Sequence, residues 1–164
     1  MSCILNIETS TNVCSVSLSQ DGVCLHEEVD LQGPSHAQVL AGFVKEVVSF
    51  ADSHAIPIDA VAVSKGPGSY TGLRIGVSEA KGVAYGRDAK LISVPTLKLL
   101  TVPVLLGHDE LPEDSLLCPM IDARRMEVYC AVYTRALKEV KATQALVVDE
   151  HSFNDLLEQH PIYF

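Results

Sequence analysis

The first thirty residues contain three short segments in which apolar and polar side chains alternate, the pattern of half-buried β-strands. The second and third segments are separated by Asp21-Gly22. Because Gly tolerates the positive φ angles of a type I′ turn, this pair predicts a two-residue hairpin. The predicted strands are Ile4 to Ile7, Val13 to Gln20 and Val23 to Val29.

Helical and strand patterns follow one another after the breaker Gly33-Pro34. Ser35 is a suitable N-cap for a helix that runs to about Asp52, and Thr96 is the expected cap of a short third helix. The order β-β-β-α-β-α-β-α predicts a mixed sheet with helices on its faces, which is a ribonuclease-H-like unit. The remaining elements of this part are a strand at Ala60 to Ser64, a helix at Thr71 to Gly86 and a strand at Lys90 to Val94.

Residues 103–115 are acidic and loop-like, and they predict a boundary between a first lobe at residues 1–102 and a second at residues 115–164. The second part repeats the order β-β-β-α-β and then stops. We therefore expect an α/β fold of two lobes, each a mixed sheet flanked by helices, with the second lobe incomplete. Its predicted elements are strands at Leu116 to Asp122, Glu127 to Thr134 and Val140 to Val148, a helix capped by Ser152, and a strand at Ile162 to Phe164.

The composition is that of a globular protein, since 48% of the 164 residues are apolar and 20% are charged. No segment approaches the roughly 18 consecutive apolar residues of a membrane span, and no signal peptide is visible. We expect a cytoplasmic protein that does not contact a membrane. The cysteines form no Cys-x-x-Cys pair and are interpreted as reduced packing residues; they are Cys3, Cys14, Cys24, Cys118 and Cys130.

Charge is unevenly distributed along the chain. The 12 basic and 21 acidic residues give a net charge of −9, yet residues 65–100 alone carry a charge of +4. Binding to nucleic acid requires clustered Lys and Arg side chains that neutralise phosphates. Such an acidic chain is therefore expected to serve nucleic acid only as part of a larger assembly.

The most distinctive segment is the glycine-rich stretch at residues 66–76, between a predicted strand and the second predicted helix. One interpretation is that its backbone amides hold an anion at the N-terminus of the helix. Its spacing fits neither a Walker loop, which needs Gly-Lys-Ser/Thr, nor the dinucleotide fingerprint, whose third glycine would fall at Thr71. The other interpretation is a tight turn with close helix packing, and the sequence leaves both open.

Small residues recur every four positions in the second predicted helix, at Gly72, Gly76, Ala80 and Ala84. Because an interior Gly costs a helix about 1 kcal/mol relative to Ala, this stripe indicates that another backbone comes very close. That backbone belongs either to a partner helix or to the protein's own sheet. The first predicted helix has a wide apolar arc that either a second subunit or the monomer's own core covers; the arc consists of Val39, Leu40, Phe43, Val44, Val47, Val48, Phe50 and Ala51.

Candidate catalytic groups are few. Glu8 ends the first predicted strand and precedes Thr9-Ser10-Thr11, where a nuclease of this architecture would hold a metal-binding carboxylate and a phosphotransferase its phosphate-binding turn. The next central strand ends in Ser64-Lys65 and supplies no carboxylate. No two histidines have metal-ligand spacing, so His36 is interpreted as a surface or interface residue of the first helical turn.

One basic pair lies between two predicted strands of the second part, at Arg124-Arg125 after Asp122. A tight turn held by the Asp side chain is one interpretation. An arginine pair that binds phosphate or RNA is the other.

The motifs resemble those of the bacterial TsaB (YeaZ) family along nearly the whole chain. The similar segments are Ile4 to Ser10, Gly66 to Gly76, Val94 to Leu97, Ile121 to Arg125 and Glu127 to Tyr129. The resemblance implies the actin-like ATPase (ASKHA) fold and a role in making N6-threonylcarbamoyladenosine at position 37 of tRNA. It also implies a non-catalytic partner of the homologous TsaD subunit, joined through N-terminal helices in a complex with the ATPase TsaE, and a homodimer in isolation.

The chain departs from the catalytic relative TsaD, which carries a His-x-x-x-His metal pair on its first helix, because His36 is followed four residues later by Leu40. We therefore expect no catalytic residue, no metal and no cofactor bound by this chain alone, with ATP or ADP at the interface of the complex and tRNA contacted through it. The sequence shows no nucleophile, base or metal ligand that would support the protease activity implied by the older family name, glycoprotease. The expected partner-interface residues are His36, Leu40, Phe43, Val44, Val47, Gly72, Leu73, Gly76, Val77 and Ala80.

Two alternative functions remain open. The first is an actin-like ATP-binding phosphotransferase or ATPase that uses Glu8 and the loop at residues 66–72. The second is a ribonuclease-H-like nuclease, against which Ser64 counts because two-metal chemistry needs several converging carboxylates. The residues expected to contact a nucleotide or phosphate are Glu8, Thr9, Ser10, Gly66, Gly68 and Ser69.

Overall fold

The computed structural model describes residues 2–33 and 35–164. The chain forms two compact units, of which the first ends at Val94 and the second is Pro95–Phe164. The division thus falls before the segment at residues 103–115 that the sequence indicated. The reason is that Leu97, in the helix after the division, packs against Ala131 and Tyr133 of the second unit.

The first unit is a five-stranded mixed sheet with two helices. Strand β1 lies antiparallel to β2 and parallel to β4, so the sheet order is β3-β2-β1-β4-β5. This is the ribonuclease-H-like arrangement predicted from the order of elements. The elements are β1 (Cys3–Glu8), β2 (Cys14–Gln20), β3 (Val23–Asp30), α1 (His36–Ser53), β4 (Ala60–Ser64), α2 (Tyr70–Gly86) and β5 (Lys90–Val94).

The hairpin between β2 and β3 has the turn that its sequence demands. Asp21 and Gly22 both have positive φ angles, 49° and 85°, as in a type I′ turn. The Asp21 carboxylate also accepts a hydrogen bond of 2.9 Å from the amide of Ser2. The predicted two-residue hairpin is confirmed.

The core of the first unit lies between the sheet and helices α1 and α2. Alternate side chains of β1 and β2 are fully buried, which is the two-residue period that the sequence showed. Helix α1 contributes a buried stripe to the same core, and helix α2 contributes its alanines. The buried side chains include Cys3, Leu5, Ile7, Cys14, Val16, Leu18, Leu40, Val44, Val47, Ala51, Ala80 and Ala84.

The predicted caps of the first and third helices differ in part from the structure. Ser35 occupies the N-cap position of α1, but its hydroxyl donates to the Asp30 carboxylate and accepts no hydrogen bond from the helix amides. The bond from Ser35 lowers the pKa of Asp30. Helix α3 (Thr96–Gly107) is capped by Pro95, so the prediction of Thr96 as the cap was wrong. The helix also continues through Pro103, which removes one amide hydrogen bond from it.

The second unit repeats the strand arrangement of the first on a smaller scale. Strand β8 pairs with β6 and β7 along one edge and with β9 along the other, and β10 lies parallel to β6 as β4 does to β1. The α/β fold class with two mixed sheets is confirmed, but the predicted strand Leu116 to Asp122 is divided into two, so four strands precede the last helix of this unit. The elements after α3 are β6 (Leu116–Leu117), β7 (Met120–Arg124), β8 (Glu127–Thr134), β9 (Glu139–Leu146), α4 (Asn154–Leu157) and β10 (Ile162–Tyr163).

Helix α4 is a single turn whose cap is Phe153, and Ser152 instead bonds the Asp149 carboxylate at 2.6 Å. Four of the five cysteines are buried as the sequence predicted, whereas Cys24 is exposed. Burial raises the pKa of Cys118 to about 12, which keeps this thiol protonated and inert. None of the helices in the described part of the chain has both the length and the apolar character needed to cross a bilayer.

Candidate functional site

Glu8 joins the carboxyl ends of the two central parallel strands of the first unit. Its carboxylate accepts a hydrogen bond of 2.6 Å from the amide of Ser10, in the turn that follows β1. The other carboxylate oxygen accepts a short hydrogen bond from the Ser64 hydroxyl at the end of β4. The carboxylate is therefore engaged by neutral donors on both sides and fixes the turn after β1 to β4.

The small-residue stripe of α2 faces this turn. Thr9 is fully buried, and its hydroxyl donates to the carbonyl of Gly72 at 2.8 Å. A Cβ atom at Gly72 would lie 2.1 Å from the carbonyl oxygen of Thr9, and one at Gly76 would lie 2.2 Å from its hydroxyl oxygen. Thr9, in the protein's own β1-β2 turn, thus requires both glycines, through its backbone at Gly72 and through its side chain at Gly76.

The glycine-rich loop packs on the β1-β2 turn at Ser10, the residue after Thr9. The amide of Ser69 donates to the carbonyl of Ser10 at 2.7 Å, and a Cβ at Gly68 would lie 2.4 Å from that carbonyl oxygen. Ser69 is the N-cap of α2, and its hydroxyl accepts a hydrogen bond of 3.3 Å from the Gly72 amide. This is the tight turn with close helix packing that the spacing allowed.

The residues predicted to contact a nucleotide do come together here, but most of their polar groups bond one another. The Ser10 amide donates to the Glu8 carboxylate, and the Ser69 amide donates to the Ser10 carbonyl. The Ser10 hydroxyl is buried without a hydrogen-bond partner in the described part of the chain. Glu8 places a negative charge beside the amide that would face a phosphate, so the arrangement is unfavourable to an anion.

Most of the predicted partner-interface residues lie inside the first unit, which corrects that prediction. The inner faces of α1 and α2 are shielded by the sheet and by each other, and only three members of the set keep partial exposure, namely Phe43, Leu73 and Val77. A single sequence gives the width of an apolar arc but not which polypeptide covers it. The buried members are His36, Leu40, Val44, Val47, Gly72, Gly76 and Ala80.

The outward side of α2 carries a shallow recess of about 280 Å³, lined by Tyr70, Leu73, Arg74, Val77 and Ser78. Tyr70 is 74% exposed although it is a large aromatic residue. The Arg74 guanidinium lies 5.5 Å from the centre of its ring and donates to its hydroxyl at 3.3 Å. Nothing in the sequence pattern singled out Tyr70, Arg74 and Ser78, although they occupy the helical face opposite the small-residue stripe.

The described residues offer no obvious metal site. Within residues 2–33 and 35–164, no three His, Cys, Asp or Glu side chains lie close enough together to hold a metal ion. The prediction of His36 as a surface or interface residue is wrong, because only 6% of this residue is exposed. Its Nε2 atom has no hydrogen-bond partner in the described part of the chain.

The basic pair of the second unit lies in the tight turn between β7 and β8. The Asp122 carboxylate accepts a hydrogen bond of 2.7 Å from the amide of Arg124, as the turn interpretation predicted. Arg124, Arg125 and Met126 have φ angles of 67°, 54° and 65°. Three successive non-glycine residues are thus in the left-handed region, where a Cβ atom is disfavoured.

Comparison with known proteins gives a consistent set of relatives. The family model described as TsaD: tRNA N6-adenosine threonylcarbamoyltransferase matches residues 30–157. The tRNA threonylcarbamoyladenosine biosynthesis protein TsaB of Escherichia coli is 35% identical over 80% of this chain and 55% of its own length. The TsaB of Bacillus subtilis is 32% identical over 79% of this chain and 54% of its own length. The chain therefore spans about half the length of the curated relatives it matches.

Solved structures give a similar picture. YeaZ from Pseudomonas aeruginosa superimposes with a TM-score of 0.74 and 28% identity, covering 92% of this chain and 70% of that one. An uncharacterized protein with similarity to peptidase YeaZ, from the same organism, gives a TM-score of 0.71 and 29% identity over 89% of this chain and 67% of that one.

Proposed function

We propose a function from one premise: this chain belongs to the family described as TsaD: tRNA N6-adenosine threonylcarbamoyltransferase and, within it, to the TsaB (YeaZ) proteins. The protein takes part in the biosynthesis of N6-threonylcarbamoyladenosine in tRNA. It does so in the cytoplasm, as a subunit without its own active site that binds TsaD and supports the transfer of the threonylcarbamoyl group.

The internal use of the polar residues at the end of β1 supports a non-catalytic role. A general base or nucleophile must be free to reach a substrate atom. Here the Glu8 carboxylate is held by Ser10 and Ser64, and the Thr9 hydroxyl bonds the Gly72 carbonyl beneath α2. These groups fix the fold of the first unit.

The outward face of α2 is the observation that carries the docking proposal. Tyr70 is 74% exposed, and it borders a recess that half-buried Leu73 and Val77 line. Tyr and Arg are the side chains that dominate binding energy at protein interfaces, since both combine a broad apolar surface with a polar group. Tyr70 and Arg74, held against each other, are suited to anchor a partner helix there.

Co-purification with TsaD tests this docking face. We expect Tyr70→Ala and Leu73→Glu each to weaken the complex by about tenfold or more, because each removes or charges an anchor of the recess. Tyr85→Ala is the matched control, since Tyr85 lies on the same helix, is 92% exposed and does not line the recess. Equal complex formation by the wild type and all three variants would rule out this face.

The surrounding assembly is part of the same proposal. TsaE joins the complex, ATP or ADP binds at its interface, and tRNA is contacted through the assembled complex. In the absence of TsaD, the α2 face pairs with a second copy of the chain. Sedimentation of the isolated protein checks this last point, because Leu73→Glu is expected to shift a dimer towards the monomer.

An ATP-using enzyme is the second candidate, and one observation favours it. Glu8, Ser10 and the N-terminal end of α2 do meet at the carboxyl ends of β1 and β4, which is where open α/β sheets bind ligands. Calorimetry of the isolated chain with ATP and Mg²⁺ distinguishes the two candidates. Tight binding together with turnover would replace the scaffold proposal, whereas no detectable heat agrees with it.

A further inference from the structure

The turn between β7 and β8 presents two adjacent arginines, Arg124 and Arg125. Among residues 2–33 and 35–164, the guanidinium groups of Arg124 and Arg125 make no ion pair or hydrogen bond, and both residues are exposed. The three remaining arginines of the chain are all engaged. Arg74 contacts Tyr70, Arg87 pairs with Asp52, and Arg135 donates to the Leu111 carbonyl at 2.6 Å.

The backbone of this turn is left-handed at three successive residues. Arg124, Arg125 and Met126 all adopt left-handed conformations, which glycine would adopt far more readily. The hydrogen bond from the Arg124 amide to Asp122 fixes the start of the turn. Met126 is 89% exposed, so the turn projects into solvent.

Nearby acidic groups do not neutralise the pair. Asp122 directs one carboxylate oxygen to the Arg124 amide, and Glu127 lies opposite Arg124 in the strand register. Neither carboxylate lies within ion-pair distance of a guanidinium group in the described part of the chain. The guanidinium groups of both arginines are therefore open to an external anion. Two oxygens of a phosphate can accept two parallel hydrogen bonds from one guanidinium group.

We propose that Arg124 and Arg125 bind the phosphodiester backbone of RNA. The proposal rests on the proposed function, which brings a tRNA to the complex that contains this chain. An RNA phosphate is favoured over an acidic protein face because Met126 is the one strongly exposed apolar residue of the turn, so there is little apolar surface to anchor a protein. The site is small, and binding by the chain alone is expected to be weak and strongly salt-dependent.

Fluorescence anisotropy with a labelled tRNA anticodon stem-loop tests the proposal on the full chain at about 50 mM salt. The double variant Arg124→Gln/Arg125→Gln is expected to bind at least about tenfold more weakly, because each charged contact to a phosphate is lost. The dependence of log K on log salt concentration should flatten by about 0.7 for each lost contact. Arg124→Lys/Arg125→Lys keeps the positive charges but loses the paired donors of the guanidinium groups, and it should give an intermediate affinity.

The matched control removes two positive charges elsewhere. Lys90→Gln/Lys138→Gln changes the net charge equally, and both lysines are exposed and distant in sequence from the turn. An equal loss of affinity in both double variants would overturn the proposal, as would no RNA binding by the wild type at low salt. Competition with inorganic phosphate shows whether the arginines bind any phosphate or hold the RNA backbone in particular. Full competition at millimolar phosphate would identify a general phosphate site and contradict a specific role in holding RNA.

Two further measurements keep the outcome interpretable. Met126→Gly relieves the left-handed strain at one position and leaves both arginines in place. It should therefore preserve RNA binding. Co-purification of the double arginine variant with TsaD is expected to be unchanged, because α2 and not this turn carries the docking face. If the double arginine variant loses RNA binding but still binds TsaD, the result supports the arginine site. The α2 variants test TsaD binding, and therefore the proposed function, separately.

Discussion

Thr9 determines, at the scale of single residues, why α2 contains glycine at two positions one turn apart. Its backbone carbonyl occupies the space that a side chain at Gly72 would fill, and its hydroxyl occupies the space of a side chain at Gly76. The same hydroxyl donates to the Gly72 carbonyl, so the contact is both steric and polar. The glycine-rich motif is therefore required for packing within the first unit.

Alanine substitutions of helical glycines test this explanation. Gly76→Ala is expected to destabilise the protein by about 1–3 kcal/mol, because its Cβ would lie 2.2 Å from the Thr9 hydroxyl oxygen. Gly82→Ala is the control on the same helix, where a Cβ would meet nothing within 4 Å, and should stabilise by about 0.5–1 kcal/mol. Urea unfolding measures both. A Gly76→Ala variant as stable as the wild type would contradict the tight contact.

At the scale of elements, one bidentate ion pair joins the ends of α1 and α2. Arg87, the residue after α2, donates to both carboxylate oxygens of Asp52 at 2.9 Å and 2.6 Å. This pair complements the apolar packing of the two helices on the sheet. The hydrogen bonds from Arg87 lower the pKa of Asp52 below its ordinary value of 3.8.

The Arg87→Gln variant should reveal this ion pair in the pH dependence of stability. Because the pKa of folded Asp52 is lowered, the pair stabilises the protein above pH 3.8, and this contribution is lost as the pH falls through the lowered folded pKa. The urea midpoint of Arg87→Gln should therefore lie below that of the wild type at about pH 7, and the difference should shrink at about pH 2. Lys81→Gln, an exposed charge change on α2, is the control. A difference that is independent of pH would contradict the sign of the Asp52 shift.

At the scale of the whole molecule, the chain contains two related mixed sheets with very different cores. The first unit packs two long helices, α1 and α2, on a five-stranded sheet. The second has the single-turn helix α4 and a core built around a few residues, including Cys118, Val132 and Phe153. Because stability grows with the apolar area that a domain buries, the first unit should be much the more stable of the two.

Separate expression of the two units tests this difference. A fragment of residues 1–94 is expected to unfold cooperatively in urea and to give dispersed amide resonances, because its core includes fully buried Leu5, Val16 and Val47. A fragment of residues 95–164 is expected to show neither property. Val61→Asp in the first fragment places a charge at a fully buried position and should abolish its transition. A first fragment without a cooperative transition would contradict the division at Val94.

The predictions of turns succeeded because their signal is local. The Asp21-Gly22 hairpin and the turn held by Asp122 follow from the backbone preferences of adjacent residues, and the structure contains both. The predicted caps failed at Thr96 and Ser152 because neighbouring residues offered competing positions and partners. The outward residues Tyr70 and Arg74 were missed because polar and aromatic side chains on a helix surface carry no periodic signal.

The sequence alone determined the order of the elements, the two-residue and four-residue periods and the family motifs, because these depend on the preferences of neighbouring residues. Only the tertiary structure decided which polypeptide covers the apolar arc of α1 and what the glycines of α2 approach. Both depend on contacts between residues far apart in the chain, such as Thr9 with Gly76 and Glu8 with Ser64. A helix with a bare stripe has the same sequence pattern whether a sheet or a partner fills the space.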